Sequence, residues 1–181
     1  MNSNFGYTGK VTFKSIFKGR TISTQYLNNG TSLLFESYAR ALAGQNISEV
    51  LPAYLNIYYT KKSENPSLNS ETHSFLRNSK GAGVVRTVDR DEDGKLLTRL
   101  SVSITRDMMD IDDLETSNDV SVELQLLTDI LPTTGAQGVL ATVDVDNPKE
   151  FTTSMLETPY GIQFIIVWDL YVDNINKEGE S

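Results

Sequence analysis

Residues 162–172 read IQFIIVWDLYV, and this segment decides the fold class. Every second residue of the segment is apolar, and these residues would share one side of a strand: Ile162, Phe164, Ile166, Trp168, Leu170 and Val172. The opposite side also carries Ile165, Val167 and Tyr171. Alternation with a period of two predicts a β-strand, and apolar residues on both sides indicate burial of both faces. We therefore predict that this strand is central in a sheet or lies in a subunit interface.

The same period of two recurs along most of the chain. The other predicted strands lie at residues 10–17, 22–26, 53–59, 84–89, 96–104, 120–126 and 139–145. Gly19 indicates a hairpin between the first two strands, and Asp93-Gly94 indicates another between 84–89 and 96–104. About eight strands with one helix predict a mainly β fold, an antiparallel β-sandwich.

The predicted helix covers residues 31–43. Its apolar residues recur at helical spacing: Leu34, Phe35, Tyr38, Ala41 and Leu42. Thr31 or Ser32 can cap the first turn, and Gly44 suits the position after the last turn. We predict a single domain over 1–181, with long polar loops at 61–80 and 106–119 that are disordered or ordered by a partner.

Composition excludes several classes of site. The net charge of −8 disfavours direct contact with nucleic acid, and the absence of cysteine excludes disulfides, thiolate zinc sites and cysteine nucleophiles. The sequence has no apolar stretch of about 18 residues and no secretion signal, so we expect synthesis in a cytoplasm and no membrane crossing. Lys10, Lys14, Lys18 and Arg20 form a basic group, which is either a solvated strand face or a contact for an acidic partner.

One acidic turn has the beginning of a calcium-loop pattern. Asp89, Asp91 and Asp93 precede Gly94 in the order D-x-D-x-D-G, but the position of the bidentate glutamate is Leu100. We interpret the turn as a solvated hairpin, with a weak calcium site as the alternative. No other cofactor is predicted.

Catalytic residues are not predicted. His73, the single histidine, lies in a polar stretch where a surface side chain is expected, and no nucleophile turn, P-loop or dinucleotide motif occurs. We therefore predict that the protein is not an enzyme.

Aromatic residues are the candidates for contacts with a partner, because tyrosine is enriched in interfaces. Tyr54 and Tyr58 share a strand face on either side of Asn56, for which ordinary cross-strand packing is the alternative. The residues predicted to bind a partner are Tyr54, Tyr58, Phe75, Trp168 and Tyr171.

The order of these motifs resembles a known group of proteins. A hairpin with G-K-V-T-F leads to N-N-G-T, then to the helix L-L-F-E-S-Y-A-R-A-L-A-G, and the chain closes with I-V-W-D-L-Y-V-D-N at 166–174. Over 9–60 and 162–174 this resembles small structural proteins of tailed-bacteriophage virions, found in tail, neck or head-fibre assemblies.

The resemblance implies a viral structural protein of the phage tail, the head-tail connector or the capsid. It implies a homo-oligomer that contacts other virion proteins, located in the virion after synthesis in the host bacterial cytoplasm. The alternative is a carbohydrate-binding or receptor-binding module of the same particle, for which Tyr54, Tyr58 and Tyr160 are the candidate aromatic residues.

Overall fold

Strand β11, Phe164–Ile175, is the middle strand of a five-stranded antiparallel sheet. In the computed structural model, which describes residues 4–15, 20–26, 29–61, 71–110 and 120–175, it pairs with one strand on each side. Trp168 lies opposite Val11 on one neighbour and Leu100 on the other. The prediction of a central strand is confirmed.

The described residues contain eleven strands and two α-helices. The strands are β1 Asn4–Ser15, β2 Arg20–Tyr26, β3 Asn29–Gly30, β4 Tyr54–Lys61, β5 Glu71–Ser74, β6 Ala82–Gly83, β7 Val85–Arg90, β8 Leu96–Ile104, β9 Val120–Ile130, β10 Gln137–Asp144 and β11. The helices are α1 Ser32–Leu42 and α2 Pro148–Leu156, and short 3-10 helices cover Ser48–Val50 and Arg106–Met108.

Two antiparallel sheets form a β-sandwich. Sheet I has the order β2-β1-β11-β8-β7, and sheet II has the order β3-β10-β9-β4-β5, with β6 as a further neighbour of β4. Their inner faces join in one apolar cluster that includes Val11, Phe13, Leu100, Val102, Ile166 and Trp168 from sheet I and Leu55, Ile57, Val122, Leu124, Leu126 and Val143 from sheet II. The predicted fold class is confirmed, although there are more strands than the eight expected.

Helix α1 confirms the helix predicted at 31–43, but its start differs from the prediction. The Thr31 side chain makes no capping hydrogen bond. Its hydroxyl donates instead to the Val139 carbonyl oxygen at 2.6 Å, and its amide donates to the Leu140 carbonyl oxygen at 2.9 Å. Thr31 therefore ties the start of the helix to β10. At the other end, Gly44 has the expected positive φ of 66°.

Helix α2 was not predicted from the sequence. The Asn147 side chain accepts a hydrogen bond from the Glu150 amide at 3.3 Å, and Pro148 occupies the first turn, as is common at helix starts. The helix buries Phe151, whose ring centroid lies 4.9 Å from that of Phe13 and 5.9 Å from that of Phe164. The second helix thus packs an aromatic side chain into the shared core.

The two predicted long loops are shorter than expected, and they contact each other. Residues 71–74 form β5, and Leu76 forms a β-bridge with Met109. The Asp110 amide donates to the Phe75 carbonyl oxygen at 2.8 Å, which extends this contact. Residues 62–70 and 111–119 lie outside the described residues. The described parts of both predicted loops are therefore held by the chain itself.

Candidate functional site

The β7–β8 hairpin lies at an edge of sheet I. All six residues of β7 are exposed, including Val85 and Val88, with exposed fractions of 64% and 74%. Val88 pairs with Thr98, and Leu96 lies two residues away on the same face with 56% of its surface exposed. Elsewhere in sheet I this face packs against sheet II in the core. The exposure of Val88 and Leu96 on it shows that the hairpin extends beyond the edge of sheet II. Val88 and Leu96 form an exposed apolar surface here called the hairpin patch.

The carboxylates of the acidic turn bind different partners and do not converge on one point. The Asp89 carboxylate pairs with Arg99, whereas Asp91 Oδ1 accepts hydrogen bonds from the Asp93 amide at 3.1 Å and the Lys95 amide at 2.7 Å. Within the described part of the chain, no three His, Cys, Asp or Glu side chains form a group that could hold a metal ion. The geometry is that of a side-chain-capped turn, so we do not propose a calcium site here.

An ion-pair network lies on the outer face of sheet I. Arg99 Nε donates to Asp169 Oδ1 at 2.8 Å and its NH2 group donates to Asp169 Oδ2 at 3.1 Å. This hydrogen bonding raises the pKa of Arg99 above its ordinary value. Tyr171 is half-buried beside the network, with Lys95 Nζ 5.1 Å from its ring centroid. Burial, followed by the charge of Asp169, raises the pKa of Tyr171. A role for Tyr171 in binding a partner stays a prediction.

Phe75 and Trp168 are core residues, in contrast to the partner-binding role predicted for them. Both have exposed fractions of 0%. Phe75 packs between Tyr59 and Phe151, with ring centroids 6.4 Å and 6.3 Å away. Because neither side chain reaches the surface, neither can touch a partner in this arrangement, and the core interpretation of Trp168 replaces that of a subunit interface.

Tyr54 and Tyr58 do share a strand face, but they do not form an open aromatic platform. Both are half-buried, and Asn56 between them has an exposed fraction of 0%. Asn56 Nδ2 donates to the Tyr58 hydroxyl at 3.1 Å and to the Ser79 carbonyl oxygen at 3.3 Å. Segment 74–81 therefore covers the strand between the two rings.

A polar pocket of about 290 Å³ lies where the two predicted loops meet. It is lined by Tyr59, His73, Ser74, Leu76, Arg77, Ser79 and Asp110. His73 belongs to β5, opposite Tyr59, and its ring stacks on the Tyr59 ring at a centroid distance of 5.3 Å. The Ser74 hydroxyl donates to the Leu76 carbonyl oxygen at 2.9 Å, so it is engaged within the loop. The pocket offers hydrogen-bonding groups, and the prediction that no residue is catalytic stays a prediction.

Arg106 and Tyr160 meet at the end of sheet I opposite the hairpin turn. Their loops follow β8 and precede β11, and these strands pair there through Ile104 and Phe164. The Arg106 guanidinium carbon lies 4.9 Å from the Tyr160 ring centroid, and Tyr160 is 72% exposed. Tyr160 was a sequence candidate, but Arg106 was not, because the sequence does not show which strand ends are neighbours.

Among the described residues, no helix is long and apolar enough to span a membrane. No protein-family model matches the sequence, and no curated protein is significantly similar to it.

Proposed function

We propose that the protein is a structural subunit of a multi-copy particle, a virion protein of a tailed bacteriophage, which assembles through the β7–β8 hairpin. The observation that supports the assembly role is the exposed edge strand β7 with its hairpin patch. An unpaired edge strand presents free backbone N–H and C=O groups that can pair with another chain. The phage assignment rests on the resemblance of 9–60 and 162–174.

The hairpin combines a directional contact with an apolar one. Backbone pairing along β7 would set the register, and burial of Val88 and Leu96 would add hydrophobic free energy. Charged residues usually protect a free edge, and Arg86, Asp89 and Arg90 lie along β7. We therefore expect the hairpin to accept a matching partner strand rather than to aggregate without specificity.

The test measures the molar mass of the full chain by light scattering after size-exclusion chromatography. We expect an oligomer, or a complex with another protein of the particle, and we expect the double substitution Val88→Glu and Leu96→Glu to shift the protein to the monomer. Thr87→Glu is the control, because Thr87 is also exposed on β7 but lies on the other face.

Melting curves of both variants are needed to check that each is folded. A wild-type monomer that binds no particle protein contradicts the proposal. An oligomer whose molar mass is unchanged by the double substitution contradicts the role of the hairpin patch.

A further inference from the structure

We propose that Arg106 and Tyr160 form a binding site for a carboxylate-bearing sugar. This site goes beyond the assembly role and is independent of contacts through the hairpin. It lies on the two adjacent loops at the other end of β8, where the pairing of Ile104 with Phe164 holds the loops side by side.

Tyr160 is held at the tip of a defined turn. The Ile162 amide donates to the Pro159 carbonyl oxygen at 3.2 Å, and Gly161 supplies a φ of 78°, which a side chain at this position would resist. The Thr158 hydroxyl donates to the Ser154 carbonyl oxygen at 2.8 Å and joins the turn to α2. The ring is thus presented to solvent on an ordered loop.

Arg106 is held by the ring of Tyr160 rather than by a carboxylate. No hydrogen bond or ion pair engages its side chain among the described residues, and its Nε is buried without a hydrogen-bond partner. Arg40 and Arg99, in contrast, each pair with acidic side chains. The two terminal amino groups of the Arg106 guanidinium have no hydrogen-bond partner in the described part of the chain, so they are available as donors.

The neighbouring acid does not neutralise this cation. Asp107 follows Arg106 in the chain, but its hydrogen bond with Thr105 and its proximity to Arg77 lower the pKa of its carboxyl group. The Asp107 carboxylate is thus engaged by Thr105, and no ion pair joins it to Arg106 among the described residues. The Arg106 guanidinium is therefore not paired with this acid and can pair with an incoming anion.

These features define the ligand class. The planar fork of a guanidinium matches a carboxylate, with two parallel N–H···O hydrogen bonds. The exposed ring of Tyr160 beside it offers an apolar surface for the C–H face of a sugar. A ligand that uses both groups has a carboxylate attached to a sugar ring, as in a uronic acid.

The test is an NMR titration of the full chain with D-glucuronic acid, following the Arg106 Nε–H and Tyr160 ring signals. Glucose, which lacks the carboxylate, and acetate, which lacks the sugar, are the matched probes. We expect saturable shifts with glucuronic acid, and at least about tenfold weaker binding of each of the other two.

Variants separate the two groups of the site. Arg106→Lys keeps the charge but loses the fork, and we expect binding to weaken about tenfold. Tyr160→Phe keeps the ring and should bind within about twofold of the wild type, whereas Tyr160→Ala should weaken binding about fivefold to tenfold. Arg40→Lys, a change at an arginine on α1 that pairs with Glu36, is the control and should have no effect.

Several results would overturn the proposal. No saturable shift with glucuronic acid, or equal binding of glucose, excludes the carboxylate contact, and equal binding of acetate excludes the sugar contact. Glucose 6-phosphate is an additional probe, and binding as tight as that of glucuronic acid would overturn the preference for a carboxylate. Because oligomerisation is measured separately by light scattering, failure of this site leaves the assembly role untouched, and the reverse also holds.

Discussion

Replacement of Trp168 by alanine tests whether the central strand is a core element of the single chain. The side chain has an exposed fraction of 0% and lies between Val11 and Leu100 in the middle of sheet I. Strands on both sides prevent the sheet from collapsing into the space left by the indole. A fully buried tryptophan replaced by alanine costs about 3–5 kcal/mol, which is a large part of the roughly 5–15 kcal/mol that stabilises a typical domain.

The assay is urea unfolding followed by far-ultraviolet circular dichroism, because the chain has a single tryptophan and the variant loses that fluorescence signal. For a domain of this size the expected loss corresponds to a melting temperature lower by about 6–20 °C. Leu42→Ala, at a position 88% exposed at the end of α1, is the control and should change the free energy of unfolding by less than about 0.5 kcal/mol. A Trp168→Ala variant that unfolds like the wild type but no longer assembles would refute the core interpretation.

Three further changes test separate parts of the fold by urea unfolding. Gly81→Ala should cost more than about 2 kcal/mol, because a Cβ there would lie 2.5 Å from the Leu55 carbonyl oxygen at a φ of 93°, whereas Gly83→Ala meets no atom within 4 Å and should be nearly neutral. Asn147→Ala removes the cap of α2 and should cost about 1 kcal/mol, and an unchanged midpoint would contradict the capping role. Burial and Asp169 raise the pKa of the Tyr171 hydroxyl above its ordinary value of 10.0. The protonated hydroxyl therefore contributes stability that is fully present below pH 10 and is lost as the pH rises through the raised pKa. Tyr171→Phe should therefore lose less stability than the wild type between pH 9 and pH 11, and parallel pH profiles would contradict this.

Eight of the eleven strands and α1 could be predicted, because each has a local signal, either a period of two or a helical spacing. The strands β3, β5 and β6 have only two to four residues, too few for such a period. Helix α2 also has a local signal, since Asn147-Pro148 followed by Glu150 is typical of a helix start, but its nine residues are too few for a clear helical repeat of apolar residues. The burial of Phe75 could not be predicted, because Phe75 and Leu76 stand together within a polar stretch of sequence and Phe75 packs against the distant Phe151. Tertiary contacts of this kind are not encoded in any short pattern.

The position of Arg106 beside Tyr160 depends on the same kind of distant contact, and it links the two proposals. β8 has its hairpin turn at one end and Arg106 just beyond the other, and the eight steps between its nine residues span roughly 27 Å at about 3.4 Å per step. Copies joined through the hairpin would therefore leave the Arg106–Tyr160 sites open at the far end of sheet I. A single site of two side chains binds weakly, but several sites on one particle engage a surface together, and their combined affinity exceeds that of each site. Assembly through one end of the strand would thus make weak binding at the other end effective.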